Sequence, residues 1–380
     1  MDGCALLADA NGPRVVGMWN RARNERVLAR CGIAVIDAAQ AARIAPDRPL
    51  LVLRETIAVN VAFCAALPAP DAAPRLIGPA GGPFALYGRA RDVRPLLGRY
   101  FAGERLCASA GLTPIEVPDT LALSLATGRD ARRATWRLLR QAEKPTDGIV
   151  SRHLNRPLSR CFSRLFLALG LSPDHASFVS LSIGLACAWF AAQPGALTLM
   201  VAGALFQFAS AFDGVDGEMA RATLRESPRG AWIDTAVDNV TYVACLIGVS
   251  LGWAREGIGP AGSWLAGAVL VAVPATLLML LRFVRRFGTD GSLVFVDRCV
   301  ERAAHDSGSA SLRVSRFLFH ALRRDVFAAL FFAITLSGER AAIPIAVAFG
   351  ALITAATWLL HGPRLVAAAQ ALRAAHAGSG

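Results

Sequence analysis

Lysine is all but missing from this chain. Lys144 is the only one in 380 residues, so arginine carries the formal net charge of +12. That bias fits a GC-rich coding sequence, and arginine abundance alone therefore says little about function. No aromatic-studded basic stripe offers a stacking platform for bases, and no nucleic-acid partner is expected. Cysteine is scattered: positions 4, 31, 64, 107, 161, 187, 245 and 299 contain no Cys-x-x-Cys pair and no Cys/His cluster. This excludes a disulfide framework and a structural zinc site of ordinary spacing. The six histidines (153, 175, 305, 320, 361, 376) show no ligand spacing. No basic stretch followed by an apolar core opens the chain, so a signal peptide is not expected, and residues 1–140 are expected to stay in the cytoplasm. No internal repeat is visible.

What is present is apolar. The hydrophobic fraction is 54% and the mean hydropathy +0.44, which points to a polytopic membrane protein with a soluble part. Residues 1–140 read as a soluble α/β domain. Short apolar runs such as Ile33–Ile36 and Leu50–Leu53 look like buried strands, set between Ala/Arg-rich helical stretches and Pro/Gly loops. The run Leu50–Leu67 contains Arg54, Glu55 and Asn60, and reads as a strand followed by a buried helix. A connecting helix is expected over 129–143. Residues 141–170 form a linker and a juxtamembrane amphipathic helix, in which Arg152, Arg156, Arg160 and Arg164 recur every fourth residue. Such a helix suits an interface with anionic headgroups, with Pro157 bending or restarting it.

Six spans follow, at about 172–192, 196–220, 230–253, 262–284, 325–338 and 341–361. They form an α-helical membrane domain over 171–365, and 366–380 is left as a C-terminal tail. The segments between spans sort the arginines. Only Arg255 and Arg340 fall on one side, whereas 221–229, 282–324 and 362–380 hold fourteen. The positive-inside rule therefore places both termini in the cytoplasm, with the protein in the cytoplasmic membrane. Residues 287–324 read as a cytoplasmic excursion with one or two amphipathic helices.

Four carboxylates stand where the second and third spans meet the cytoplasm: Asp213, Asp216, Asp234 and Asp238. The first pair is three residues apart and the second four, so each pair shares a helix face. Two helices joined by a short loop are expected to be antiparallel neighbours, which lets all four converge. Carboxylates at membrane helix ends are costly unless a cation sits among them. Hard oxygen ligands suit Mg²⁺, Mn²⁺ or Ca²⁺, and Mg²⁺ commonly also takes phosphate oxygens. Gly214, Gly217, Ala220 and Gly230 are small where a pyrophosphate or a second helix must come close, and Arg221 adds a fixed positive charge.

The pattern resembles the signature of the CDP-alcohol phosphotransferase (CDP-alcohol phosphatidyltransferase) family: Asp-x-x-Asp-Gly-x-x-Ala-Arg, a gap of about eight, then Gly-x-x-x-Asp-x-x-x-Asp. Asp213, Asp216, Gly217, Ala220, Arg221, Gly230, Asp234 and Asp238 meet every fixed position. The resemblance implies attack of an acceptor alcohol on the β-phosphorus of a CDP-linked alcohol, with loss of CMP. It implies that Asp213, Asp216 and Asp234 hold Mg²⁺ or Mn²⁺, with Asp238 as a further ligand or as the base. It also implies CDP contacts from Asp213, Gly217, Ala220, Arg221 and Ser177, and a homodimer among membrane lipids. The family's Thr-Pro-Asn-x-x-Thr is here Ser172-Pro173-Asp174-His175-Ala176-Ser177, so a carboxylate replaces the amide and loses its donor.

Residues 144–160 resemble the junction of a fused subgroup, in which an inositol-phosphate cytidylyltransferase domain precedes a di-inositol-phosphate phosphate synthase. The N-terminal domain departs from an active nucleotidyltransferase. Leu6-Leu7-Ala8-Asp9-Ala10-Asn11-Gly12-Pro13-Arg14 has no Gly-x-Gly, and Arg54-Glu55 stands where a metal-binding Asp would follow Leu50–Leu53. The domain is expected to be catalytically degenerate. Lys144 and Arg156, inside the junction, are candidates for binding the phosphate of an acceptor or lipid. Two other readings compete: a membrane-tethered scaffold, and a cation-binding transporter. The scaffold leaves the motif unexplained, and a transporter usually carries midplane sites and repeated halves.

Overall fold

The computed structural model describes residues 3–8, 12–69, 73–80, 84–104, 106, 110, 112, 114–143, 148, 150–287, 294–307, 310–321 and 324–377. The chain divides into two units, and each is built from several stretches. One comprises Met1–Lys144, Arg160–Pro173 and Gly217–Glu226; the other comprises Pro145–Ser159, Asp174–Asp216 and Ser227–Gly380.

The first unit is α/β. Its six-stranded mixed sheet is made of β1 (Cys4–Leu7), β2 (Ala34–Ile36), β3 (Pro49–Leu53), β4 (Arg75–Pro79), β5 (Ala85–Arg89) and β6 (Pro114–Val117), in the order β2-β1-β3-β5-β4-β6. Successive strand residues point to opposite faces. Ala5, Leu7, Leu51 and Leu53 accordingly enter one core cluster, and Cys4, Leu6, Leu50 and Val52 another. Burial on both faces explains why β1 and β3 read as unbroken apolar runs, whereas β2, expected to be buried, lies at the sheet edge with Ala34 and Val35 exposed. The expected helix after Leu53 is a single turn, Val61–Ala65, preceded by a second strand at Ile57–Val59.

The reason lies in helix α1 (Asn20–Arg30). Asn20, Arg23 and Asn24 are buried on it. Asn20 donates to the carbonyls of Glu55 and Ile57 at 2.8 and 2.7 Å, and Asn24 donates to Ile57 O at 2.7 Å while accepting from the Val59 amide. Arg23 donates to Val59 O at 2.6 Å, and burial lowers its pKa to about 10. Side chains thus satisfy a strand that a helix period would have left helical. Helix α2 (Gly128–Gln141) starts with a capping box between Thr127 and Asp130 and supplies the connecting helix.

Helix α3 (Arg156–Ala168) follows a π-helical turn at Ser151–Asn155. Its arginines turn to protein rather than forming a free stripe. Arg160 pairs with Glu143 at 3.4 Å, and the Arg164 guanidinium lies 5.4 Å from the centre of the Trp136 ring.

The second unit is helical: α4 (Pro173–Ala191), α5 (Ala196–Phe212), α6 (Gly214–Ala222, whose first residues alone belong to this unit), α7 (Pro228–Arg255), α8 (Pro260–Phe287), α9 (Val294–Ser307), α10 (Ala310–Ala321), α11 (Arg324–Leu336) and α12 (Ala342–Ala377). Four helices are long and apolar enough to cross a membrane: Ala196–Ala222, Pro228–Arg255, Pro260–Phe287 and Ala342–Ala375. Helix α4 has 19 residues, and the apolar part of α11 is the shorter Val326–Leu336. Helices α9 and α10 fill the excursion after α8 and share a core with α8 and α12 that includes Phe283, Val296, Cys299, Leu312 and Leu365. Helix α12 runs on through Pro363 to Ala377, so helix replaces the start of the expected tail.

Candidate active site

Asp213 caps α5, and its amide still donates to Ala209 O at 2.9 Å, so the helical path continues into α6. Asp216 follows one turn on. Beyond a short loop, Ser227 begins α7: its hydroxyl accepts from the Gly230 amide at 3.0 Å and Pro228 occupies the first turn. Asp234 and Asp238 then fall in the second and third turns. Carboxylate oxygens of Asp213, Asp234 and Asp238 lie within 4.8 Å of one another, and all three residues are half-buried. Ligands on opposite sides of an octahedral Mg²⁺ stand about 4 Å apart. The donor set therefore fits a hard divalent cation after small side-chain adjustment. Asp216 is not in that trio. It accepts the Ser177 hydroxyl from α4 at 2.5 Å.

The packing of α4 on α7 sets this geometry. Asp234, Asp238, Thr241, Cys245, Gly248 and Gly252 follow one another at intervals of three or four residues, which is one face of α7. A Cβ on Gly184 would run into the Thr241 side chain, and Cβ atoms on Gly248 and Gly252 would run into the carbonyls of Ala188 and Ala191. The sulfurs of Cys187 and Cys245 meet at 3.6 Å. The face that carries the carboxylates is thus the face that docks, backbone close to backbone, on the helix that carries Ser177.

Arg156 is only 6% exposed. It lies against the start of the motif, where a Cβ on Gly214 would stand 2.7 Å from its Nη1. Asn155 helps to hold that turn: it donates to the Ser210 hydroxyl at 3.3 Å and accepts from Gln207 at 3.0 Å. Sequence reasoning passed over Asn155 and Gln207. The one signal was Gln207, a lone amide in the apolar run Val201–Phe208; Asn155 sits among polar and charged residues and gave none. The Arg285 guanidinium stands 4.8 Å from the ring centre of Trp232, two residues before Asp234, and spacing gave no hint of it.

In the other unit, Arg221 donates through Nε to Ala142 O at 2.5 Å. A Cβ on Gly217 would stand 2.9 Å from Arg221 Nη1, so the glycine makes room for the guanidinium. Ala220 is partly buried. Glu218, at a variable motif position, is fully buried and accepts the Ser163 hydroxyl at 2.7 Å. Lys144 lies outside the described residues.

All eight motif positions fall in a stretch with known relatives. Residues 171–298 match the CDP-alcohol phosphatidyltransferase family. The chain is 41% identical over 147 residues to the "Bifunctional IPC transferase and DIPP synthase" of Rubrobacter xylanophilus, 38% of this chain and 33% of the relative. It is 40% identical over 113 residues to the protein so named in Thermococcus kodakarensis, 30% and 25% of the two chains. The same name belongs to an Archaeoglobus fulgidus protein, 34% identical over 123 residues, 32% and 24% of the two chains. The chain thus spans a third or less of the length of these curated relatives. The matched stretch contains Ser177 and all four aspartates, and residues 1–170 lie outside it.

Proposed function

We propose that this protein is a metal-dependent CDP-alcohol phosphotransferase, moving a phospho-alcohol group from a CDP-linked alcohol to an acceptor alcohol. The observation that carries the reading is the convergence of Asp213, Asp234 and Asp238 inside a CDP-alcohol phosphatidyltransferase domain. Asp213, Asp234 and Asp238 would hold Mg²⁺ or Mn²⁺, with Asp216 as a further ligand. A cation held there draws charge from the phosphoryl oxygens and the departing CMP. Asp238 takes the proton of the acceptor hydroxyl. The acceptor oxygen then bonds to the β-phosphorus, the bond from that phosphorus to the bridging oxygen breaks, and CMP leaves with the electron pair. In the helical unit Asp213 and Ser177 contact the nucleotide and Arg156 the phosphate of an acceptor or lipid; Gly217, Ala220 and Arg221 are carried over as nucleotide contacts from the motif resemblance alone.

The finer architecture belongs to the same reading. All six apolar helices cross the cytoplasmic membrane, α4 and α11 as its shortest spans, with both termini in the cytoplasm and two chains pairing as a homodimer. The N-terminal domain is catalytically degenerate. In support, Gly12 packs so closely on Glu55 that a Cβ there would stand 2.8 Å from the Glu55 Cβ, and Arg54 lies over the Tyr100 ring at 4.6 Å. The names of the relatives favour a polar-headgroup product over a phospholipid, and a CDP-polyol donor with a polyol-phosphate acceptor would suit such a product.

The test is CMP release by purified protein with Mg²⁺ or Mn²⁺, across CDP-linked donors and alcohol acceptors, beside Asp238→Asn. Metal-dependent release with one pair, lost in the variant, is the expected result. Release that survives Asp238→Asn unchanged would remove Asp238 from the mechanism. No release with any pair, from folded protein that binds CDP, would favour the scaffold reading.

A further inference from the structure

The loop between the two carboxylate-bearing helices has an unusual ending. At the end of α6, the Leu224 amide donates to Arg221 O at 3.2 Å and the Arg225 amide to Ala220 O at 2.8 Å. This is a Schellman cap, whose left-handed position normally takes glycine. Here Leu224 occupies it, with φ of 56°. A non-glycine residue persists in that conformation only where its surroundings hold it. The Leu224 side chain packs against the α/β core cluster that includes Val27, Leu28 and Phe63.

Helix α1 grips the same loop on both sides of Leu224. Arg26 Nη1 donates to Thr223 O at 2.8 Å, and Arg30 pairs with Glu226 at 2.7 Å. These two arginines are four residues apart, on one face of α1, while Asn20, Asn24, Val27 and Leu28 are buried on it. Just upstream, Arg221 is fastened to Ala142 O at the end of α2. The α/β domain therefore holds the loop by its core, by its backbone and by a charge.

We infer that the α/β domain works as a positioning clamp: Leu224, Arg26 and Arg30 fix the loop from Thr223 to Glu226, and so fix where α7 starts and where Asp234 and Asp238 stand relative to Asp213. This rests on the phosphotransferase reading for its purpose, but not for its existence. A domain without a phosphate loop gains a role that needs no nucleotide. Leu224, Arg26 and Arg30 are positioning residues and touch no substrate.

Leu224→Gly separates clamping from capping. Glycine suits the left-handed cap, so the end of α6 is kept while the anchor in the α/β core is removed. Arg26→Ala is the second variant, and leaves the core filled. Both are made in the full chain. Hydrogen–deuterium exchange over residues 223–234 reads the clamp, and the affinity for Mn²⁺, from the electron paramagnetic resonance of the free ion, reads its effect on the carboxylates. The expected result for Leu224→Gly is exchange at least ~10-fold faster in this segment and Mn²⁺ binding weaker by about tenfold. Arg26→Ala shifts both in the same direction by less. Unchanged exchange in both variants would overturn the clamp. Faster exchange with Mn²⁺ affinity kept within about twofold of wild type would overturn the positioning role. Exchange needs neither metal nor substrate. Wild-type protein that binds no Mn²⁺ and releases no CMP would sink the reaction reading, and the exchange comparison would still decide whether the clamp exists.

Discussion

Gly248→Ala adds one methyl group to α7 and tests how tightly the carboxylates depend on helix packing. The new Cβ would collide with the Ala188 carbonyl oxygen, and would stand 3.0 Å from its carbon and 3.1 Å from the Ala188 Cα. Carbon atoms in good contact sit at about 3.5–4.0 Å. Backbone cannot rotate aside, so α4 and α7 must part by about 1 Å, at an overpacking cost of about 1–3 kcal/mol. Gly248 stands ten residues beyond Asp238, about 15 Å along the helix axis. The separation reaches the site as a tilt of α7, moving Asp234 and Asp238 away from Ser177 and Asp216. A misplacement near 1 Å at a reacting centre costs up to about a hundredfold, and this leveraged one is expected to cost about tenfold in kcat/KM. The assay pairs CMP release with thermal unfolding in detergent. Gly267→Ala is the control, since a Cβ there meets nothing within 4 Å. If Gly248→Ala matches Gly267→Ala in both stability and rate, the close approach of α4 and α7 does not govern the site.

Three further outcomes are expected. Chelation by EDTA should abolish CMP release and Mn²⁺ or Mg²⁺ restore it, while Asp238→Asn should lower the rate by about 10²–10⁴-fold at saturating metal; activity retained after exhaustive chelation would refute the metal's role. Arg340→Ala should destabilise the helical unit by about 3 kcal/mol, read by thermal unfolding, because it removes a buried guanidinium that bonds Ala191 O, Gln193 O and Glu256; an unchanged unfolding temperature would show that these partners are satisfied without it. Asn24→Ala should cost the α/β unit about 1–3 kcal/mol by leaving the buried Val59 amide without its side-chain acceptor and Ile57 O with Asn20 as its one side-chain donor, read by limited proteolysis; unchanged digestion would rule that out.

The sequence was most legible where one period governed it. Leu50–Leu53 announced a buried strand because both faces of the sheet are covered. The carboxylate spacing announced a shared site because i,i+3 and i,i+4 residues lie together on a helix. Other features depend on distant partners. The short strand Ile57–Val59 pairs antiparallel with Ala122–Ser124, more than sixty residues later, and Asn20 and Asn24, more than thirty residues earlier, meet its remaining backbone groups. The arginine period at 152–164 is plain in sequence, but the partners of its members are not: Glu143 and Trp136 take Arg160 and Arg164, and Arg156 lies behind Gly214. Asp216 shares a helix face with Asp213, yet Ser177 draws it out of the trio, which only the packing of α4 reveals. Leu224 gave no sign at all, since nothing in the letters announces a left-handed leucine.

The three-part make-up of the α/β unit also has a consequence in time. Its last stretch is Gly217–Glu226, about eighty residues after Lys144. At roughly 5–20 residues per second, the ribosome needs about 4–16 s to travel that distance. During this interval the nascent sheet has no Leu224 to complete its core, while α4 and α5 are already made. Chain growth therefore orders assembly: the α4–α5 pair is synthesised before the α/β unit can close. A truncation at residue 144 would leave that core permanently short of its last piece, and a stop codon after 226 would be the earliest that supplies it.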